Sequence, residues 1–190
     1  MADRLAGPVF SRSTRILHWL VALHMIGLII LGWWMIDLSF YSSWYYLAPQ
    51  LHKSFGVTVF ILGVLLLLAK LQKRPPPLQT HSGFERLASK IAHIVLFASV
   101  FTIPISGYVF TTFTGESVAV FDLFNIPAIL KVSETVRDWA IDFHIYASYG
   151  LIAVILAHMA GALKHHFFDR DRTLLQMIWV PVSGDDTPQR

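Results

Sequence analysis

Residues 139–163 read WAIDFHIYASYGLIAVILAHMAGAL, and this stretch decides the fold. It is long and apolar enough to cross the roughly 30 Å hydrocarbon core of a bilayer as one helix. It holds two histidines, His144 and His158. At a rise of about 1.5 Å per residue the two lie roughly 21 Å apart along the axis. At about 100° per residue they point within about 40° of one another. We therefore expect both imidazoles on one helix face, one near each membrane surface.

Histidine inside a membrane is costly unless it is paired or ligates another group. Two imidazoles on one face of a spanning helix therefore predict two cofactors, one above the other, and electron transfer across a membrane. The chain has no cysteine. A cysteine-ligated iron–sulfur cluster, haem attached through Cys-x-x-Cys-His and a disulfide are thus excluded. Any redox centre must use other ligands.

The composition predicts an integral membrane protein. Hydrophobic residues make up 55% of the 190 residues and charged residues 14%, whereas soluble domains carry about 25% charged residues. We expect an all-α, membrane-embedded four-helix bundle that forms a single domain over residues 1–190, with 183–190 disordered. The stretches apolar enough to span are 16–36, 50–71, 87–113 and 139–163.

The distribution of positive charge predicts the orientation. Twelve of the 15 Lys and Arg residues lie at the termini or in the loop between the second and third spans. The opposite side holds only Lys53, Lys131 and Arg137. By the positive-inside rule we expect a multi-pass membrane protein with both termini cytoplasmic. This topology accounts for the excess of basic over acidic residues, which therefore gives no reason to expect nucleic acid as a partner.

Depth along the spans predicts two histidine pairs. The first span enters from the cytoplasm and carries His18 near its start, at the inner level. The second enters from outside and carries His52 near its start, at the outer level. Matching levels pairs His18 with His158 and His52 with His144. Two axial imidazoles on facing helices are what a six-coordinate b-type haem requires, so we expect two haem b groups.

Other roles for histidine remain open at this point. A single histidine in a membrane helix is often a hydrogen-bonding core residue. His93 lies near the inner end of the third span and competes with His18 or His158 for the inner haem. His24 lies about 120° from His18 around the first helix, so we expect it to pack or to form a hydrogen bond instead.

Several motifs resemble the bacterial cytochrome b561 family, from about residue 10 to 177. They are, in chain order, RILHW at 15–19, LHKSFG at 51–56, AHI at 92–94, PISG at 104–107, HHFF at 165–168 and DRTLL at 171–175. The resemblance implies a four-helix di-haem protein with His18, His52, His144 and His158 as axial ligands. It also implies a quinone-linked electron carrier, and at least one member is similar to a superoxide oxidase that reduces ubiquinone.

Two departures from that pattern bear on function. Relatives often carry arginines at the end of the second span and in the first outer loop, where this chain has none. A contact to a haem propionate or a quinone would then use Lys70, Lys73 or Arg74, or be absent. The outer side has more acidic than basic residues, which disfavours steering of anionic superoxide. Lys53, beside the outer ligand, offers a local positive charge for that steering.

Three functions follow as alternatives. The first is an enzyme, superoxide:ubiquinone oxidoreductase, with superoxide and quinone as its small-molecule partners. The second is a non-catalytic cytochrome b subunit that relays electrons between a partner dehydrogenase and quinone. The third is a histidine-dependent transporter or sensor without haem.

Overall fold

The computed structural model describes residues 10–72, 82–171 and 173–178. Four of its helices are long and apolar enough to cross a membrane. They are α1 Arg12–Ile36, α2 Leu47–Gln72, α3 Gly83–Thr111 and α4 Glu134–Phe167. The predicted all-α membrane bundle is therefore confirmed, and the protein is a multi-pass membrane protein. The predicted disorder at 183–190, together with Lys73 and Arg74, lies outside the described residues.

Each helix begins three to five residues before the apolar stretch that predicted it. Helices α1, α3 and α4 each begin directly after a serine that caps them, Ser11, Ser82 and Ser133. The Ser11 hydroxyl accepts a hydrogen bond from the Thr14 amide, 3.2 Å away, at the start of α1. Ser82 and Glu85 form a capping box at the start of α3. Such caps satisfy amide groups that have no partner within the helix, so the helix starts follow the capping residues rather than the apolar run.

The helices pack as two close pairs. We use "inner end" for the end of the bundle where α1 begins and "outer end" for the opposite end, following the predicted orientation. Helix α1 runs along α2, α3 runs along α4, and a thinner seam joins α2 to α3. Val59, Leu66 and Val100 form part of the apolar core at this seam. On the other side, α1 and α4 approach through side chains such as the rings of Trp33 and Tyr149, 6.0 Å apart. The predicted histidines lie in the space between the two pairs.

The seam between α2 and α3 depends on a glycine. A Cβ atom on Gly63 would lie 2.4 Å from Cγ1 of Val100, which is itself buried. We predict that Gly63→Ala lowers the free energy of unfolding by about 1–3 kcal/mol, because overpacking a core forces side chains or backbone to shift. Thermal unfolding of the detergent-solubilised protein measures this. Gly27→Ala is the control, since a Cβ there meets nothing within 4 Å. Equal melting temperatures for both variants would contradict the prediction.

The loop between α3 and α4 contains a β-hairpin that the sequence analysis did not predict. Its strands are β1 Val118–Val120 and β2 Phe124–Ile126, paired antiparallel. The turn places Phe121 and Asp122 at positive φ, 48° and 57°. Val118 and Val120 are buried, and β1 packs against α2.

Two hydrogen bonds hold the hairpin tip on the outer end of α2. The Phe121 amide donates to Ser54 Oγ at 3.0 Å, and Gln50 Nε2 donates to Asp122 Oδ1 at 2.6 Å. The Phe121 ring also packs edge to face against Phe55. The hairpin therefore covers the part of α2 that carries His52.

The inner end is held together by the chain that follows α4. Residues 173–178 return to the start of α1, where Arg15 Nη1 donates to the Ile178 carbonyl at 3.1 Å and Trp19 Nε1 to the Met177 carbonyl at 2.9 Å. Lys164 near the end of α4 forms a salt bridge with Glu85 at the start of α3. These contacts join α1, α3 and α4 at one end of the bundle.

Candidate functional site

The structure brings the four predicted ligands together as two pairs. At the outer end, the ring centroids of His52 on α2 and His144 on α4 lie 6.2 Å apart. At the inner end, those of His18 on α1 and His158 on α4 lie 6.5 Å apart. These are the partners that the depth argument predicts. One helix, α4, contributes a histidine to each pair.

The separation of the rings within each pair suits two imidazoles on opposite sides of one metal ion. Two metal–nitrogen bonds of about 2 Å and the half-widths of two rings place such centroids roughly 6 Å apart. Direct ring-to-ring packing, as between His93 and His158, gives a shorter centroid distance of 5.1 Å. All donors here are imidazoles on helices, the ligand set that b-type haem uses in helical bundles.

Glycines on neighbouring helices make room for the outer pair. A Cβ on Gly32 of α1 would lie 3.2 Å from Cε1 of His52, and one on Gly107 of α3 would lie 3.1 Å from Cε1 of His144. A Cβ on Gly56 or on Gly150, by contrast, would meet no atom within 4 Å. Backbone on two further helices thus touches the rings of the outer pair directly.

The sequence analysis missed Gly32 as a site residue and included Gly107 only as part of the PISG motif. A signal for Gly32 was present. It follows His18 by fourteen residues, the same spacing that puts His144 and His158 on one face of α4.

The ring nitrogens differ between the ligands. Nδ1 of His18 and Nδ1 of His52 are buried and have no hydrogen-bond partner among the described residues. Nδ1 of His144 donates to the Ile103 carbonyl at 2.9 Å and lies 3.2 Å from Ser106 Oγ. A buried polar atom without a partner costs roughly 1–3 kcal/mol. Burying these two nitrogens of His18 and His52 without a partner therefore has an energetic cost that side-chain packing alone does not explain. The residues present fit haem b.

His93 and His24 occupy different surroundings. The His93 ring contacts His158 edge to face, and its Nδ1 donates to the Ser89 carbonyl at 2.7 Å. His24 lies away from both pairs, in an apolar groove of about 310 Å³ along α1, and its Nδ1 donates to the Leu20 carbonyl at 2.8 Å. The structure thus brings His93 to the inner pair and leaves His24 outside.

The lysines predicted to assist lie at opposite ends of α2. Lys53 follows His52 at the outer end and is half-buried. Lys70 lies at the inner end, where its ammonium group stands 5.4 Å from the centre of the Phe97 ring. Lys53 is therefore adjacent in sequence to a histidine of the outer pair. Lys70 lies at the inner end of the bundle.

Comparison with known proteins gives the family. Residues 9–179 match the family model described as prokaryotic cytochrome b561. The chain is 38% identical over 162 residues to cytochrome b561 homolog 2 of Escherichia coli (strain K12), covering 85% of this chain and 86% of that protein. It is 27% identical over 179 residues to cytochrome b561 homolog 1 of the same organism, covering 89% of this chain and 96% of the relative.

A third relative has a more specific name. The chain is 26% identical over 168 residues to a protein of Yersinia pestis named probable superoxide oxidase CybB, covering 85% of this chain and 91% of the relative. The region that matches the family model, residues 9–179, contains all four paired histidines. The name of that relative describes the relative alone. From the family model and the 38% identical relative, this chain belongs to the prokaryotic cytochrome b561 family, which implies haem b binding.

Proposed function

We propose that the protein is a di-haem b-type cytochrome that passes electrons to ubiquinone. His52 and His144 would hold an outer haem, and His18 and His158 an inner one. The two ring separations of 6.2 and 6.5 Å, each between facing helices, are the observation that carries this proposal. Haem b, when bound, supplies reversible one-electron storage at each site. The chain would position the haems, bury them and set the electrostatic potential around them.

The arrangement of α4 suits electron transfer through the membrane. His144 and His158 lie roughly 21 Å apart along this helix, which places one ligand near each surface. Leu151 stands midway between them and is buried in the apolar core. This core separates the two sites from water and fixes the distance between them. We propose that both termini are cytoplasmic and that the membrane is the bacterial inner membrane, on the charge distribution given above.

The most specific activity that we propose is superoxide:ubiquinone oxidoreductase. Two superoxide anions each give up one electron and leave as dioxygen, and two electrons with two protons convert one ubiquinone to ubiquinol. Lys53 would attract superoxide toward the outer pair, because positive potential near a site raises the encounter rate of an anion. The name of the Yersinia pestis relative supports this activity.

A relay subunit is the second candidate. It is favoured by the excess of acidic over basic residues on the outer side, which suits docking of a positively charged redox partner better than capture of an anion. In that case an iron–sulfur or flavin subunit of a dehydrogenase would donate the electrons. Purification of the native complex from its membrane would reveal such a subunit.

Stopped-flow reduction of the purified, haem-loaded protein by an enzymatic superoxide source tests the enzyme proposal. We expect rapid appearance of the reduced haem spectrum, its suppression by superoxide dismutase, and reoxidation on addition of a short-chain ubiquinone. Absence of any reduction sensitive to superoxide dismutase would leave the relay function as the better account.

Lys53→Gln tests the steering role. We expect reduction by superoxide to slow several-fold at low ionic strength and the difference to shrink as salt is added, because salt screens charges beyond a Debye length of about 10 Å at 0.1 M. Lys131→Gln removes another outer-side charge that is not adjacent to a ligand in the chain. An equal loss of rate in both variants would assign the effect to overall charge and not to Lys53.

A further inference from the structure

The outer ligand His144 is held by α3 as well as by its own helix. Its Nδ1 donates across the bundle to the Ile103 carbonyl at 2.9 Å, on the residue before Pro104 in α3. The same nitrogen lies 3.2 Å from Ser106 Oγ. Since both acceptors take the Nδ1 proton, the neutral ring presents Nε2 as its free electron-pair donor.

Ser106 has a double role in this contact. Its hydroxyl donates to the Ile103 carbonyl at 2.7 Å, which leaves an oxygen lone pair directed to accept from His144. A carbonyl oxygen has two lone pairs, so the bonds from Ser106 and from His144 coexist on Ile103. Both Ile103 and Ser106 are buried, with 7% of their surface exposed. The hydroxyl is thus largely shielded from solvent.

Gly107 completes the contact. A Cβ at this position would stand 3.1 Å from Cε1 and 3.3 Å from Nδ1 of His144. The absence of a side chain lets the α3 backbone lie against the ring and restricts its rotation. The group formed by Ile103, Ser106 and Gly107 is here called the α3 clamp.

His52 and His18 lack an equivalent clamp in the part of the chain that the structure describes. His52, the partner of His144, has Gly32 against its ring, yet its buried Nδ1 has no hydrogen-bond partner there. The same is true of Nδ1 of His18 in the inner pair. The two proposed sites therefore differ in the hydrogen bonding of their ligands even though their ring separations are similar.

We infer that Ser106 is a positioning residue that, with the rest of the α3 clamp, orients His144 and lowers the reduction potential of the outer haem. This inference rests on the proposed ligation of the outer haem by His52 and His144. Hydrogen bonding from the distal nitrogen of a ligating histidine fixes its tautomer and orientation and raises its basicity. A more basic ligand stabilises ferric over ferrous iron. The clamp thus provides a way to separate the potentials of two haems with identical axial ligand types.

Ser106→Ala and Ser99→Ala form the matched test. Ser99 lies seven residues earlier on α3, is buried to a similar extent, and its hydroxyl also donates to a helix carbonyl, that of Val95 at 2.8 Å. Its hydroxyl bonds within its own helix and not to a proposed ligand, so it reports the cost of losing a buried hydroxyl from α3. Ser106→Thr restores a hydroxyl, which threonine can direct to a carbonyl of the preceding turn.

Three readouts are taken on the haem-loaded protein. They are the haem content, the potentials of the two haems by spectroelectrochemical titration, and the low-spin electron paramagnetic resonance signals, whose largest g value depends on the relative orientation of the two imidazoles. The outer haem is identified as the component missing from both His52→Ala and His144→Ala. If those two variants do not lose the same component, the proposed ligation fails, and that outcome is distinct from failure of the clamp.

In Ser106→Ala we expect both haems to remain, with a more positive potential and a changed g value for the outer haem alone. Ser106→Thr is expected to move both properties back toward those of the unmodified protein, and Ser99→Ala to leave them unchanged. Selective loss of the outer haem from Ser106→Ala would also support the clamp. Unchanged properties in Ser106→Ala, an equal shift in Ser99→Ala, or loss of both haems from Ser106→Ala alone would each overturn it.

Discussion

His144→Ala is expected to lower the haem content from two haems per chain to one. The substitution removes one of the two imidazoles that would hold the outer haem, whose ring centroids lie 6.2 Å apart, and it leaves a gap against Gly107. A haem with one remaining protein ligand would bind more weakly, because one of its two coordination bonds is lost. We expect His52→Ala to remove the same haem. The pyridine haemochrome assay, related to protein concentration, measures the change.

The remaining haem serves as an internal check that each variant is folded. Its absorption and potential should match one component of the unmodified protein. His24→Ala is the matched control, because His24 is a membrane histidine whose ring nitrogen bonds its own helix at Leu20 and which lies outside both pairs. We expect that variant to keep both haems. Retention of two haems by His144→Ala would contradict the assignment of the outer pair.

His158→Ala is expected to remove the inner haem and to leave the outer one in place. The ring centroids of His158 and His18 lie 6.5 Å apart across the interface of α4 with α1. His18→Ala should therefore give the same loss. The inner-pair variants and the outer-pair variants each lose the reduction potential of a different haem. A redox titration therefore separates the two sets.

His93→Ala provides the sharpest control for the inner site. His93 lies close enough to His158 to pack against it, with ring centroids 5.1 Å apart and an edge-to-face geometry, and it bonds the carbonyl of Ser89 on its own helix. Two ligands on opposite sides of one iron need roughly 6 Å between centroids. We thus expect His93→Ala to keep two haems. Loss of the inner haem from His93→Ala, with its retention in His18→Ala, would make His93 the ligand instead.

The pairing of histidines was predictable because it depends on two regular properties of membrane helices. Hydropathy gives the spans, and the rise and rotation per residue give the depth and face of each side chain. His18 and His158, or His52 and His144, meet once the spans alternate in direction. In the structure the rings of these partners lie 6.5 and 6.2 Å apart.

The rotation of each helix about its axis was not predictable in the same way. It decides that Gly32 and Gly107 touch the ligands while Gly56 and Gly150 face open space, and it results from packing among all four helices. Position along the sequence does not reveal this, because Gly56 lies one turn after His52 and Gly150 lies between the two histidines of α4. The contact of Ser106 with His144 depends on the same rotation and was missed for the same reason.

The hairpin at 118–126 was missed because its stabilising contacts are distant in sequence. Its turn uses Phe121 and Asp122 at positive φ, where glycine or asparagine would have given a recognisable signal. Bonds from Phe121 to Ser54 and from Gln50 to Asp122 hold that turn on α2. The strands have three residues each, too few for an alternating pattern to stand out from a partly apolar loop.

The haem content of the purified, unmodified protein tests the central claim most directly. Pyridine haemochrome absorption, combined with amino-acid analysis of the same sample from haem-replete cells, gives the number of haem b groups per chain. The account predicts two, each low-spin, because two pairs of imidazoles stand at two depths of the bundle. One haem per chain, or a colourless preparation, would contradict it.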